Sequence, residues 1–458
     1  MGIKNWNAGI IRPVAVAPTA SSAPGVWTLD QVAYWEKQGL WPKPPEPSWV
    51  SATAYTTTNY NARAYGAAGV YKGNAAYAGY TRGSGSYDKA AVAFYNTTGA
   101  LQWSKSLSTA TANQGIIYST FFDTSGNVYV VGNDDGLGAF LYKFNSSGTQ
   151  LAGYTLNVNA ELVDGCVDSS GNIYLLARNS ASVVTIKLNS SFAIQWQKAY
   201  TITGSAPYVS VTGSTQSKIT VDSSGNVYAT FSYKNDSSSI YEGYPSVIKY
   251  NSSGTLQWAR SINGGGTYLY TQYASGVAVD SSGNVYVICT IYVDSPSFSN
   301  PIVTKFNSSG TWQWSKATGG GNYGYGLVID ASDNIYFAQS TSIYKMTSAA
   351  SPVWVVGVAD NVKGILLDSG AQQSLYAGTY NTNYWLAFKF NTNAIAAGTY
   401  TLGSTSATIT FSTSFTLTDK TPIISSLGFS SSSSSFSLSA AGSSFANAGF
   451  TASTASLI

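Results

Sequence analysis

The chain has 458 residues, 44% apolar and 9% charged, with a formal net charge of +3 at pH 7. That length suits two or three domains, the charged share is far below the roughly 25% of an average domain, and so small a net charge argues against nucleic acid as a partner. No apolar run is long enough for a membrane-spanning helix, and the complete lack of histidine excludes Ser-His-Asp and Cys-His triads, histidine metal sites and histidine acid–base chemistry.

The first 48 residues read as an attachment region. "MGIKNWNAGIIRPVAVAP" lacks the clean apolar core of a signal peptide, because Arg12 and Pro13 interrupt it. Trp6 stands where a myristoylation signal needs Ser or Thr. A short helix is predicted next. Thr28 is its N-cap, Gln31 completes a capping box, Gly39 ends it and Pro42 blocks its continuation. Leu29, Val32, Ala33 and Trp35 form an apolar stripe, and "PKPPEP" is a stiff linker beyond it. A helix of about ten residues is not stable alone in water, so the stripe must dock on the chain's own body or on another protein.

The pieces "MGIKNW", "IRPVAVAP" and "GVWTLDQVAYWEKQGLWP" resemble an N-terminal module of virion structural proteins in marine bacteriophages, particularly those infecting cyanobacteria. Gly25, Trp27, Thr28, Leu29, Gly39, Trp41 and Pro42 carry the match. The resemblance implies a component of a phage particle: a tail fibre, an appendage or a capsid decoration. In it Trp27, Val32, Trp35 and Trp41 would form the docking surface for a neighbouring virion protein.

From residue 49 to 391 two signatures alternate. One is Asp-x-Ser-Gly-Asn-(Val/Ile)-Tyr, beginning at Asp123, Asp168, Asp222 and Asp280, weaker at Asp330, and a remnant at Asp368. The other is Lys-x-Asn-Ser-Ser-Gly-Thr-x-Gln-Trp, clearest from Lys249 and Lys305, with relatives at Phe94, Lys143, Lys187, Lys345 and Lys389. Two tight turns and two variable connections per repeat describe a four-stranded antiparallel meander of roughly 40 to 60 residues, the mark of a propeller blade. Counting units that begin at Trp49, Trp103, Leu151, Trp196, Trp258, Trp314 and Trp354 predicts an all-β, seven-bladed β-propeller. The motifs resemble short propeller repeats of bacterial and phage surface proteins.

The single Asp per turn is too few carboxylates for a calcium loop, so the motif is read as a structural turn. The recurring lysines are read as blade architecture, with an anion-binding ring as the alternative. Cys166 and Cys289 lie in different repeats and read as free thiols. No catalytic residue, metal or cofactor is expected.

All length variation falls in the connections opposite the signature turns. The longest, around 199–217, 231–244, 261–274 and 290–300, carry Tyr241, Glu242, Tyr244, Tyr268, Tyr270, Tyr273 and Tyr292. Aromatic, weakly charged loops on a rigid scaffold suit a host-surface glycan or protein. Glu242 and Asp294 keep open a carboxylate-based carbohydrate-active enzyme, and a purely structural ring is a further alternative.

Residues 392–458 alternate as in "ATITFSTSFTLTD", then become Ser-rich, with Asp419 and Lys420 as the sole charges. A small C-terminal β segment that packs on neighbours is expected. The expectation is therefore a non-enzymatic, multi-copy or homo-oligomeric protein of the virion, bound to other virion proteins through 1–48 and through 392–458.

Overall fold

The computed structural model describes residues 49–55, 62–82, 88–108, 115–156, 160–178, 182–201, 208–210, 217–234, 244–263, 273–294, 297–318, 323–358, 361–368, 374–381 and 384–391, together with the strands between 398 and 456 and Leu417. The predicted N-terminal helix, with Trp27, Val32, Trp35 and Trp41, lies outside these residues.

The signature turns set the architecture. In the run from Asp123, one carboxylate oxygen accepts the backbone N–H of Ser125 (2.9 Å) and of Asn127 (3.0 Å), and the other accepts Asn127 Nδ2 (2.8 Å). Gly126 takes φ 80°, which a side chain would resist. The Asn-Ser-Ser-Gly turn works alike: Asn145 Oδ1 accepts Ser147 N (3.0 Å) and Thr149 N (2.8 Å). Each turn folds its two flanking strands antiparallel, and the two turn types leave on the same edge of the sheet.

The described strands form a β-propeller of small antiparallel blades. Six sheets are built from contiguous stretches, 62–108, 115–156, 161–201, 208–263, 273–317 and 324–358. These are the first to sixth blades. The second has the strands Gly115–Phe122, Val128–Asp134, Gly138–Phe144 and Gln150–Leu156, from the centre outward. One further sheet is composite. Asn361–Leu367, Ser374–Asn381 and Tyr384–Asn391 take Trp49–Tyr55 as their next strand, so the two ends of the repeat region close the ring within one sheet.

This corrects the predicted phase. The Trp-bearing strand does not open a blade; it is the outer strand of the blade before it, with Lys249 opposite Trp258 and Lys187 opposite Trp196. The reason is local. A tight Asn-Ser-Ser-Gly turn delivers the next strand straight to its predecessor, whereas a variable connection separates it from the strand that follows. The seven contiguous units counted from Trp49 are thus six contiguous blades and one composite closing blade.

The C-terminal segment is a belt. Its strands add to the outer edge of the sixth blade (Thr408–Ser412), then of the fifth (Thr418–Asp419), fourth (Ile423–Ser426), third (Ser430–Ser433), second (Leu438–Ala440) and first (Ser444–Asn447), in reverse chain order. Phe450–Ser456 finishes on the closing blade, beside Trp49–Tyr55.

The core is a circle of interfaces. Each apolar cluster joins neighbouring blades: Leu141 and Leu156 of the second meet Leu175 and Ile186 of the third. Tyr376 of the closing blade packs against Tyr77 and Tyr95 of the first.

Burial works to raise the pKa of Asp123 and Asp168, but the hydrogen bonds of their own turns, and Lys143 beside Asp123, outweigh it and hold both below their usual value of 3.8. A depressed folded-state pKa means stability that is complete above the unfolded value and lost as pH falls through the folded one. The unfolding midpoint in urea is therefore expected to hold steady down to about pH 4 and to drop below it. In Asp123→Asn plus Asp168→Asn, part of that acid-induced drop should disappear.

Candidate functional site

The recurring lysines do not form a ring of free cations. Each lies over the tyrosine of its own blade: Lys143 over Tyr129 (4.9 Å to the ring centre), Lys187 over Tyr174 (5.3 Å), Lys249 over Tyr228 (5.2 Å) and Lys305 over Tyr286 (5.0 Å). Lys345 and Lys389 repeat the arrangement over Tyr336 and Tyr376. The tyrosine hydroxyl in turn donates to the turn aspartate, as Tyr228 does to Asp222 at 2.9 Å, except that Tyr376 donates to Gly73 O. Burial, with that carboxylate beside it, pushes the Tyr174 and Tyr228 phenols well up, so they stay neutral donors. Lys143 also pairs with Asp123 at 3.1 Å. Aspartate, tyrosine and lysine thus serve the blade itself, which is why they recur.

Three of the recurring tryptophans tie their blade to the next, while the indole N–H of Trp354 in the sixth blade is buried without such a partner. Trp103, Trp196 and Trp258 donate their indole N–H to Ser146, Ser252 and Ser308 O in the following blade's turn, at 2.9 to 3.1 Å. A Cβ added to the turn glycines Gly148, Gly254 or Gly310 would meet the indole at 2.6 to 2.9 Å. The second blade departs from this, with Ala152 opposite Lys143 where tryptophan is expected. The third blade's turn compensates with Phe192, at φ 64°, in the glycine's place. Phe192 packs 4.7 Å from Tyr154, so the aromatic ring comes from the other side of the same junction.

The innermost strands surround a central cavity of ≈ 370 Å³. Four residues before each turn aspartate its wall carries Ser119, Asp164 and Lys218 on three successive blades and Gly276, Gly326 and Gly364 on the next three. The polar half is tied together: Lys218 Nζ lies 3.5 Å from Asp164, whose other oxygen accepts Ile219 N at 2.8 Å. The glycine half lets inner strands approach closely, since a Cβ on Gly276 would stand 2.8 Å from Leu327 N. Cys166 also faces this cavity. Burial, then Asp164 and Asp168, pushes its thiol well up, so it is a neutral thiol rather than a nucleophile. Among the described residues no three His, Cys, Asp or Glu are grouped as metal ligands.

The two faces of the ring differ. The signature turns share one face; the variable connections share the other. Of the predicted loop residues, Tyr241, Glu242, Tyr268 and Tyr270 lie outside the described residues. Tyr244 and Tyr273 begin strands on the variable face, half-buried and buried respectively, and Tyr292 lies near the end of the strand Val285–Asp294. Tyr273 contacts Tyr323 (6.2 Å between ring centres), and Tyr323 contacts Tyr325 (6.3 Å), which reaches the cavity wall. Tyr323 is 43% exposed. Sequence reasoning missed Tyr323 and Tyr325, although "GNYGYG" in a variable connection was a signal for them.

No family model matches the chain, and no curated protein matches it. Among solved structures it is similar to a protein of unknown function from Bacteroides caccae (11% identity, 68% of this chain and 93% of that one, TM-score 0.38). It is similar to the gluconolactonase XC5397 of Xanthomonas campestris (12% identity, 76% and 98%, TM-score 0.37) and to BBS1N in complex with ARL6DN (9% identity, 75% and 98%, TM-score 0.45). At these values the likenesses assign no activity to this chain.

The Phe192 junction yields a double-mutant test. Phe192→Gly empties the contact with Tyr154, and Ala152→Trp alone meets Phe192; each is expected to destabilise. Together they rebuild the junction of the other blades. Urea unfolding should show a favourable coupling of about 1–3 kcal/mol between the two substitutions; simple additivity would refute the exchange.

Proposed function

We propose that this protein is a non-enzymatic recognition ring of a phage particle, held by its N-terminal region and displaying the variable face to a host-surface glycan or protein. The observation that carries the recognition part is the contrast between the faces. On one, the recurrent polar side chains are engaged in identical turns and blade-to-blade contacts. On the other lie all the variable connections and the aromatic step Tyr273–Tyr323–Tyr325. Rigid aromatic rings offer stacking area at little conformational cost, which suits sugar faces.

Chain polarity supports display. Trp49 lies opposite Lys389 and Ser456, at the turn-face end of its strand. The chain thus enters the ring on the face away from the variable connections, the side an anchor would use. The assignment to a virion rests on the resemblance of residues 1–48, with Trp27, Val32, Trp35 and Trp41 as the docking residues.

A second reading has one observation in its favour. The cavity holds a carboxylate and an amine, Asp164 and Lys218, facing a glycine wall. Their mutual pairing and the Ile219 N–H engage both groups, so a scaffold role for the pair is preferred.

Tyr323→Ala combined with Tyr241→Ala is expected to weaken binding to host-envelope polysaccharide about tenfold without moving the melting temperature. Unchanged binding would sink the recognition reading. Removal of residues 1–42 should leave the ring folded and abolish its incorporation into particles; normal incorporation would sink the anchoring reading. Release of reducing sugar from that polysaccharide, lost in Lys218→Met, would favour the cavity enzyme instead.

A further inference from the structure

We infer that the final strand of the belt, Phe450–Ser456, is a dimerisation edge that pairs antiparallel with the same strand of a second copy of this chain. An unpaired outer strand presents a row of N–H and C=O groups, and proteins blunt such rows with short strands, charges or proline. The belt blunts six blades by brevity: its strands there run from two residues (Thr418–Asp419) to five (Thr408–Ser412). On these blades it pairs only with the variable-face half of the outer strand, as with Lys198–Thr201 and Arg260–Asn263.

The closing blade departs from this pattern. Phe450–Ser456 has seven residues, paired without interruption from Tyr55 to Trp49. Its sequence, FTASTAS, has no charge and no proline. It is last in its sheet, so its outer row of backbone groups has no strand partner among the described residues. None of the three protective devices is present.

The chain itself shows that the belt's outer edge accepts another strand. On the sixth blade Gly398–Thr401 pairs antiparallel outside Thr408–Ser412. Among the described residues no segment makes the same addition at the closing blade. A second copy is the occupant the edge favours. Two neutral, identical strands related by a two-fold axis meet without like-charge repulsion, and the contact is closed rather than fibre-forming. A two-fold of this kind turns the rings' faces in opposite directions. This inference concerns the rim and is independent of the recognition face.

The test uses the full chain in sedimentation velocity over a range of concentrations. Wild-type protein should show a concentration-dependent dimer. Ser453 is the middle residue of the strand, so in a two-fold pair centred there it faces its own copy. Ser453→Lys alone and Ser453→Glu alone should each lose the dimer, and an equimolar mixture of the two should regain it as a heterodimer. A wild-type protein that stays monomeric would overturn the inference. So would single variants that still dimerise, or a mixture that stays monomeric while both variants keep the wild-type melting temperature.

Discussion

Everything in this molecule depends on one pairing: Trp49–Tyr55 lying between Tyr384–Asn391 and Phe450–Ser456. A propeller is a circle of interfaces, and each apolar cluster needs a blade on either side. If the composite blade opens, the closing and first blades lose the cluster that joins Tyr376 to Tyr77 and Tyr95. Pairing the first strand of the ring with its last makes closure a backbone ladder rather than a surface contact. The belt then covers the remaining edge of that first strand along its whole length. Asp368 and Tyr376 add a second tie across the seam, one accepting from Gly73 N and the other donating to Gly73 O.

Two lacings divide the outer strands of the first, third and fourth blades between them. Near the turn face the tryptophan reaches the next blade's Asn-Ser-Ser-Gly turn. Near the variable face the belt adds its strand. The first is a side-chain contact between blades and the second a backbone contact within each blade, joined to the next by the belt's own chain. Together they hold the rim from both sides, while the variable connections tolerate changes of length. That division gives the functional proposal its physical basis: a stiff ring can carry loops whose sequence answers to a ligand rather than to the fold.

The recurring chemistry shows how a repeat can imitate a site. A lysine in blade after blade suggests an anion ring until its position over a neutral tyrosine is seen. The same aspartates that suggest metal loops accept hydrogen bonds from their own turns. The residues that break the repeat are more informative. Tyr323 ends a variable connection and Tyr325 lies in the strand Gly324–Ile329 that follows, and Lys218 and Asp164 occupy a wall position that is glycine on three other blades.

Turn chemistry, strand alternation and the repeat's spacing determined the all-β class, the antiparallel blades and the face on which variation collects. These are local properties: an Asn-Ser-Ser-Gly turn needs only its own five residues to fold. Closure and the belt were decided by the tertiary structure, because each depends on strands far apart in the chain, whereas the phase is set locally by the Asn-Ser-Ser-Gly turn. Trp49 cannot reveal that it pairs with Lys389, nor "FTASTAS" that it runs beside Trp49–Tyr55. The low charge of 392–458 was legible, but the course of its strands along the blade edges of the same chain was not. The exchange of Trp for Ala152 and of Gly for Phe192 reads in sequence as two separate lapses. Only the contact between neighbouring blades makes it one conserved volume.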